Sequence, residues 1–464
     1  MQGSRGCFSQ GWNGRILRKL SQVMKMHKSI WTESVTLPAF APMNRDEKTD
    51  VLIIGGGMAG LLTAHMLRQA GVDCLVIEAA GVGGGVTAGT TAKITSQHGL
   101  IYHQLLKRFD PDTVLGYYRA NQAALEEYSR LAGQIDCDFT VKDNYIYSLD
   151  APEKLEEELK ALSRLGIPGE FAENLPLPIA TCGAVCFRDQ AQFHPLKFLA
   201  GLVEGLNIRE RTRAVKIEKG KVRTDRGTVQ AEKIIVATHF PILNRRGLYF
   251  MKQYQARACV LALEGAQDVG GMYLDESGEG FSFRNQGDAL ILGGGSHRTG
   301  RQTGGWEKLS AFAQAHYPGS REVGRWAAQD CMTLDGVPYI GRYSPGTPWL
   351  YVATGFNKWG MTSSMVSALV LRDLILDREN PWKSVFEPDR GLLWPQLAVN
   401  AWESAVNLMK LTGPRCPHLG CALKWNPWEH SWDCPCHGSR FDREGSLLNS
   451  PSTEDLERKH RENT

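Results

Sequence analysis

Two short stretches near the C-terminal end hold the residues best suited to chemistry: Cys416-Pro-His418-Leu-Gly-Cys421 and Cys434-Pro-Cys436-His437-Gly-Ser439. Each supplies a cysteine and a histidine at loop spacing, C-x-H in the first and C-x-x-H in the second. Cys416 and Cys434 offer two thiolates to one iron, and His418 and His437 offer two imidazoles to another, the donor set of a mixed-ligand [2Fe–2S] centre. Cys421 and Cys436 are left over, one per loop. Zinc is the competing reading, because it also takes two cysteines and two histidines. Its modules usually space them as C-x2–4-C and H-x3–5-H, however, which mixed Cys/His pairs with two spare cysteines match poorly.

A second constellation begins at Asp50-Val-Leu-Ile-Ile-Gly55-Gly-Gly57-Met58-Ala59-Gly60. The apolar run reads as a buried parallel strand. Gly55, Gly57 and Gly60 give G-x-G-x-x-G. A helix follows over 59–70, with Gly71 just past its end, and a second strand over 72–77 leads to Glu78 at its tip, 18 residues beyond Gly60. Glycines in this register let the backbone approach a pyrophosphate, the helix N-terminus stabilises its charge, and the acid sits where a ribose hydroxyl is held. A dinucleotide is implied; the unit alone does not choose between NAD and FAD.

Two resemblances sharpen these readings. Residues 416–448 resemble the Rieske box of cytochrome bc-type iron–sulfur proteins, C-x-H-x-G-C followed by C-x-C-H-G-S. The resemblance implies Cys416, His418, Cys434 and His437 as ligands and a disulfide between Cys421 and Cys436. It also implies two hydroxyls beside the cluster. Ser439 keeps the first and Phe441 replaces the second, usually a tyrosine, so a potential below the respiratory relatives and above plant-type ferredoxins is expected. Residues 50–380 resemble the glycine oxidase, sarcosine oxidase and D-amino-acid oxidase group of flavoproteins, which implies FAD. The stretches carrying this are 83–93 with Thr90, Thr91, Ala92 and Lys93; Ile234-Ile-Val-Ala-Thr238; and Asp335-Gly-Val-Pro338-Tyr-Ile-Gly341 followed by 352–362 with Gly355, Gly360, Met361 and Thr362. In that family the last segment returns to the flavin ring, and a helix beginning near Ser363 aims its dipole at the ring. Such a dipole favours an anionic reduced flavin. The two together look like a D-amino-acid-oxidase-like flavodomain fused to a Rieske domain, as found in bacterial oxidoreductases.

A flavin takes two electrons at once and a Rieske cluster moves one at a time. The expected function is therefore an FAD-dependent dehydrogenase acting on a CH–NH group of a small amine or amino acid, passing electrons singly through the cluster to a one-electron carrier, ferredoxin-like or quinone. The alternatives are a flavin reductase fed by ferredoxin, and a redox sensor or electron-transfer adaptor without a small substrate. Catalytic candidates are Lys93 and Lys358, near the ring or a substrate carboxylate. His98 and His239 are guesses at ring-adjacent groups. Cys331 lies near the place where sarcosine oxidases attach flavin, but in another register, so a covalent link is not expected.

Positioning these groups requires an α/β chain of several domains. The 464 residues, 49 glycines and 42% hydrophobic content suit a multidomain enzyme. The expected architecture is a Rossmann-like FAD-binding domain (49–135, 185–245 and 330–380) interwoven with an antiparallel-sheet substrate domain (136–184 and 246–329). A lead-in over 29–48, a helical connector over 381–415 and a minimal Rieske module over 416–464 complete it. The connector reads as a helix over 392–411 with Trp394, Leu397, Ala401, Ala405 and Leu408 on one stripe, docking the module together with Trp425, Trp428 and Trp432, or else with those three tryptophans forming a local hydrophobic shell around the cluster. Glu153 to Glu158 reads as a solvated helix face, and Gly293-Gly-Gly295 as the end of a strand. Residues 1–28 carry six cations and no acid; they lack a secretory core and read as a disordered tail or as sequence upstream of a start at Met24 or Met26. A net charge of +3 gives no reason to expect nucleic acid, and no apolar run is long enough to span a bilayer. Cytoplasmic placement follows, where the remaining cysteines are buried free thiols.

Overall fold

The computed structural model describes residues 28–243, 246–278, 280–301, 304–390, 395–410 and 413–456; most of the basic tail lies outside them. Strand Glu47–Ile54 is buried on both faces from Val51 onward. That is why its apolar residues run continuously rather than alternate. It pairs in parallel with Gly227–Val236 on one side and Cys74–Ile77 on the other. Across this sheet the order is Tyr339–Arg342, Leu350–Thr354, Gly227–Val236, Glu47–Ile54, Cys74–Ile77, Ile208–Arg209, with a hairpin at its margin. Val51 and Ile53 share a core with helices Met58–Gln69 and Gly360–Ile375, whereas Leu52 and Ile54 face a second core with Val222, Val236 and Val352. Helix Gly360–Ile375 begins three residues before the position expected from sequence.

The second sheet has nine strands, ordered Arg321–Thr333, Gln253–Glu264, Ala289–Arg298, Ser282–Gln286, Met272–Asp275, Thr140–Ser148, Gly183–Gln192, Lys93–Ile94 along its main path. All its pairings are antiparallel except Met272–Asp275 with Thr140–Ser148. Gly183–Gln192 belongs here, paired along its length with Thr140–Ser148, although the sequence boundary at 185 assigns it to the FAD-binding segments. Gly293 to Gly295 do not end a strand: Ala289–Arg298 continues through them. A Cβ on Gly293 would come within 2.6 Å of Ser282 Oγ, and one on Gly295 within 2.8 Å of Gly305 Cα, so close packing on both sides excludes side chains there.

The C-terminal module is a four-stranded sheet, Lys424–Asn426, Ser431–Asp433, Arg440–Phe441 and Leu447–Asn449. It is therefore more than bare ligand loops. The connector helix is Pro395–Met409, and its facing differs from the expected stripe. Ala401, Ala405 and Leu408 are exposed, while Asn400 and Asn407 are buried; Trp394 lies outside the described residues. Asn400 Nδ2 donates to Met251 O at 3.2 Å and Asn400 Oδ1 accepts from Arg298 at 3.0 Å, so polar contacts fix this helix. Trp425 and Trp432 pack edge-to-face on each other at 5.2 Å and Trp428 is largely exposed. Glu158 is likewise not solvated: its carboxylate accepts from the backbone N–H groups of Tyr102 and His103 at 3.0 and 2.8 Å. Among the described residues no helix is long and apolar enough to cross a membrane.

Candidate functional site

A cavity of about 440 Å³ opens between the two large sheets, floored by residues 54–59, 77–81 and 83–87 and roofed by Ser282, Gly293, Ala328 and Asp330. Of the residues singled out from sequence, Gly55, Gly57, Met58, Ala59, Glu78, Thr90, Thr91, Lys93, Lys358, Gly360 and Met361 line it. Gly60, Ala92, Gly355 and Thr362 do not; they shape its walls. A Cβ on Gly60 would lie 2.0 Å from Gly55 O, so this glycine lets helix and strand touch. Thr362 Oγ1 joins the Thr95 backbone, accepting from its N–H at 3.2 Å and donating to its carbonyl at 3.0 Å. Glu78 accepts from Gly56 N–H at 2.7 Å and Ala80 N–H at 2.8 Å, which fixes an acid at the strand tip. Gly57 caps helix Met58–Gln69 without a side chain, and Thr87 Oγ1 accepts from the Met58 N–H at 3.1 Å, so the helix N-terminus lines the cavity where a pyrophosphate would be held.

The loop carrying Thr90 to Lys93 is gripped from behind. Trp326 Nε1 donates to Gly89 O at 2.9 Å, Trp31 Nε1 to Thr90 O at 2.8 Å, and Arg284 to Ala92 O at 3.0 Å. Lys93 is buried; burial first, then the Arg284 charge, pulls its pKa down to about 7. Lys358 donates to Gly278 O at 3.0 Å and Ser296 Oγ at 2.9 Å. Asp330, which sequence reasoning missed, faces the same space; burial pushes its carboxyl up to about 6 against the opposing charges of Lys358 and Arg257. Nothing in its local sequence marks it, because its placement depends on strand pairing. His98 is not in the cavity: it hydrogen-bonds Tyr117 Oη at 2.6 Å and Thr95 O at 2.8 Å and stacks on Trp359. His239 does line the cavity, with φ +65°, and its buried Nε2 has no hydrogen-bond partner among the described residues. Cys331 is buried, its thiol 3.2 Å from Gln253 Oε1, and burial pushes it up to about 12.

Both Cys/His loops share one backbone form. Gly420 N–H donates to Cys416 O and Gly438 N–H to Cys434 O, each at 2.9 Å, and both glycines are left-handed, at φ +78° and +83°. A disulfide joins Cys421 and Cys436. Cys416 and Cys434 are hydrogen-bonded to each other, and this shared bond draws the Cys416 thiol below its ordinary value and raises that of Cys434; the Ser439 hydroxyl also bonds Cys416 and lowers it. Ser439 Oγ in turn accepts from Ser452 N–H at 3.0 Å. The rings of His418 and His437 lie 5.0 Å apart. Burial lowers His418 to about 4 and His437 to about 3, which keeps both imidazoles neutral, as metal ligands must be. His437 is 2% exposed, yet among the described residues neither ring nitrogen has a well-formed hydrogen bond, the Phe250 backbone making only a weak contact. Such an orphan is costly unless another group meets it. Ligand atoms of Cys421, Cys434 and His437 also approach within 4.8 Å of one another, but the Cys421 sulfur is committed to the disulfide. Paired thiols beside paired imidazoles fit the two-iron donor set.

Four consecutive carbonyls of the second loop are bound by side chains of the larger body. Arg298 donates to Pro435 O at 3.1 Å and Cys436 O at 3.2 Å, Gln255 to His437 O at 2.7 Å, and Gln329 to Gly438 O at 2.9 Å. A buried charge network lies alongside. Arg257 pairs with Glu429, and Arg440 pairs with Glu429 at 3.1 Å and Asp433 at 2.9 Å. Residues 447–450 of the module reach the cavity wall itself.

The family model for FAD dependent oxidoreductases matches residues 50–374, and that for the Rieske [2Fe-2S] domain matches residues 399–459, beginning inside the connector helix. YhfW of Bacillus subtilis, described as a Rieske 2Fe-2S iron-sulfur protein, is 34% identical, with 92% of this chain and 97% of that protein aligned. Among solved structures, glycine oxidase from Geobacillus kaustophilus superposes with a TM-score of 0.62 at 20% identity, covering 74% of this chain and 99% of that one. L-proline dehydrogenase from P. horikoshii gives 0.62 at 17% identity, covering 74% and 98%. At these identities the two structures speak for the fold.

Proposed function

Because the chain belongs to the FAD-dependent oxidoreductase family and carries a Rieske [2Fe–2S] domain behind its flavodomain, we propose that it oxidises a small amine or amino acid at a CH–NH group and hands the electrons on singly to a carrier. Bound FAD supplies two-electron chemistry at a C–H bond, and the bound cluster supplies one-electron transfer.

The observation that carries the coupling is the segment 237–240 at the end of strand Gly227–Val236. Ala237, Thr238 and His239 line the cavity, and the next residue, Phe240, sets its ring edge-on to both His418 and His437 at 6.5 and 6.3 Å. Ser450 Oγ of the module donates to Thr238 O at 3.2 Å, tying the two sides by a hydrogen bond as well as by packing. Residues 55–59 hold the pyrophosphate and Glu78 the ribose. Cys416, His418, Cys434 and His437 hold the irons, with Cys421–Cys436 closing the loops. Lys93 and Lys358 provide positive charge for a substrate carboxylate, and Asp330, with its carboxyl raised toward neutrality, holds or accepts a proton from the amine. The small side chains of Gly293, Ala328 and Ser282 keep the roof of the cavity open for a substrate.

The test is anaerobic mixing of the oxidised holoprotein with N-methyl amino acids, D-amino acids, glycine and proline. Flavin bleaching and cluster EPR are read in the same tube. Bleaching followed by cluster reduction supports the proposal. Bleaching only by reduced ferredoxin would reverse the direction of flow, and zinc without inorganic sulfide in the purified chain would remove the cluster from the scheme.

A further inference from the structure

The two ligand loops are placed unequally. The loop bearing His437 is clamped carbonyl by carbonyl to the larger body, and His437 is enclosed by Phe240 and Phe250. The loop bearing His418 is less enclosed: His418 also meets Phe240 but is only partly buried, and Pro417 and Leu419 are exposed. Arg415 staples this loop to the end of the connector helix, donating to Gly420 O at 3.1 Å and Leu408 O at 3.2 Å, and also to Lys410 O. Leu408 Cδ2 lies 4.0 Å from where a Cβ on Gly420 would stand. An exposed apolar surface of Leu408, Met409 and Leu419 therefore runs up to His418. Its rim is cationic. Lys410, Arg415 and Lys424 border it, Lys424 feels Lys410 and Arg301 as well as Glu403, and Glu403 is paired with Arg301.

We propose that this face, with Leu419 at its centre and Lys410, Arg415 and Lys424 around it, docks an acidic one-electron carrier protein and exchanges electrons with it at the His418 edge. The inference rests on the coupling proposed above, since a carrier is needed only if the cluster is a conduit. An apolar centre beside the redox group with a rim of one sign is the pattern that speeds encounter with a partner of opposite charge. It also explains why the apolar flank of the connector helix faces outward while its asparagines face in. The electron count is simple: one electron leaves the carrier's reduced centre and enters the oxidised cluster, or the reverse, according to their potentials.

The probe is an acidic plant-type ferredoxin, photoreduced and mixed anaerobically with the oxidised holoprotein, with cluster reduction followed by freeze-quench EPR. The bimolecular rate is expected to fall by about tenfold or more between low and high salt. The variant Lys410→Glu/Lys424→Glu should lose about tenfold or more at low salt, and Leu419→Ser should slow the reaction while keeping its salt slope. Dithionite should reduce the cluster in every variant at the wild-type rate, which shows the cluster to be intact. A rate indifferent to salt and to charge reversal would overturn the proposal. So would inert ferredoxin beside a soluble quinone analogue that reacts alike with all variants, or a wild-type dimer that Leu419→Ser dissociates. Internal transfer after flash photoreduction of the flavin is read in the same samples. Its absence would strike the coupling, whereas ferredoxin reduces the cluster directly and reports on the docking face by itself.

Discussion

Replacing Arg257 should loosen the iron–sulfur module from the flavodomain, and the charge network predicts by how much. Two guanidinium groups, Arg257 and Arg440, face two carboxylates, Glu429 and Asp433, all largely buried. Arg257→Met leaves one cation for two carboxylates. Removing one partner of a buried pair costs ~3–5 kcal/mol, since the remaining charge stays desolvated. At ~1.4 kcal/mol per tenfold, the undocked population should rise by about two to three and a half orders of magnitude. The double variant Arg257→Met/Glu429→Leu leaves Arg440 with Asp433, one to one, and should recover most of the loss. The pH dependence has a definite sign. Burial alone would raise Glu429, but Arg257 and Arg440 more than offset it, so its pKa lies below the ordinary value; Asp433 is lowered likewise by Arg440 and Arg257. A depressed carboxylate stabilises the folded form above its unfolded pKa, about 4, and that contribution is lost as pH falls through the folded value. In Arg257→Met the loss should begin at higher pH. Limited proteolysis across 381–395, with cluster absorbance followed on heating at several pH values, reads both effects. If the single and double variants release the module equally, or neither does, the network is not what holds it.

Other consequences are equally specific. In Gly438→Ala a Cβ would meet Gln255 Cβ at 2.6 Å from a backbone at φ +83°; the clamp must open, and the purified protein should lose most of its cluster EPR signal while keeping its flavin colour. Glu78→Gln removes the charge from two hydrogen bonds to backbone N–H groups, so FAD affinity in a flavin-titration assay should fall about ten- to a hundredfold, from ~1.5–3 kcal/mol. Lys93 titrates below an ordinary lysine, at about 7. Between that value and the unfolded one the unfolded chain binds the extra proton, so the stability of the flavin-free protein should rise with pH across this window, and Lys93→Met should flatten the slope in thermal melts.

Local features were the ones legible in the sequence. Strand, glycine turn, helix and acid over 50–78 follow from nearest-neighbour physics: an apolar run buried on two faces, glycines where a Cβ has no room, and a carboxylate at a strand tip. The Cys/His loops were legible for the same reason, because a C-x-x-x-G turn closes on itself. Misreadings came where a distant partner decides. Glu158 looked solvated because its acceptors' donors, Tyr102 and His103, lie more than fifty residues away. His98 looked ring-adjacent, yet Tyr117 and Trp359 draw it into the core. The stripe on the connector helix was a real apolar periodicity, but periodicity does not say which face another element covers.

The attachment of the module shows this most fully. A loop that turns its side chains toward metal must send its carbonyls elsewhere, and in an isolated domain water would take them. Here Gln255, Arg298 and Gln329 take them, from three adjacent strands of the nine-stranded sheet. Pairing of Arg257 with Gln329 in that sheet sets the last of these beside the charge network. Each is an ordinary polar residue within a strand and carries no signal of its own. Their meaning arises only when the sheet forms and the second loop meets it. Because four successive carbonyls are held, a swing of the module would have to break them together, at ~0.5–1.5 kcal/mol for each neutral bond and more for the two from Arg298. The cavity and the His437 side of the module are thus tied together through these bonds, and the less enclosed His418 side is the one left exposed to a partner.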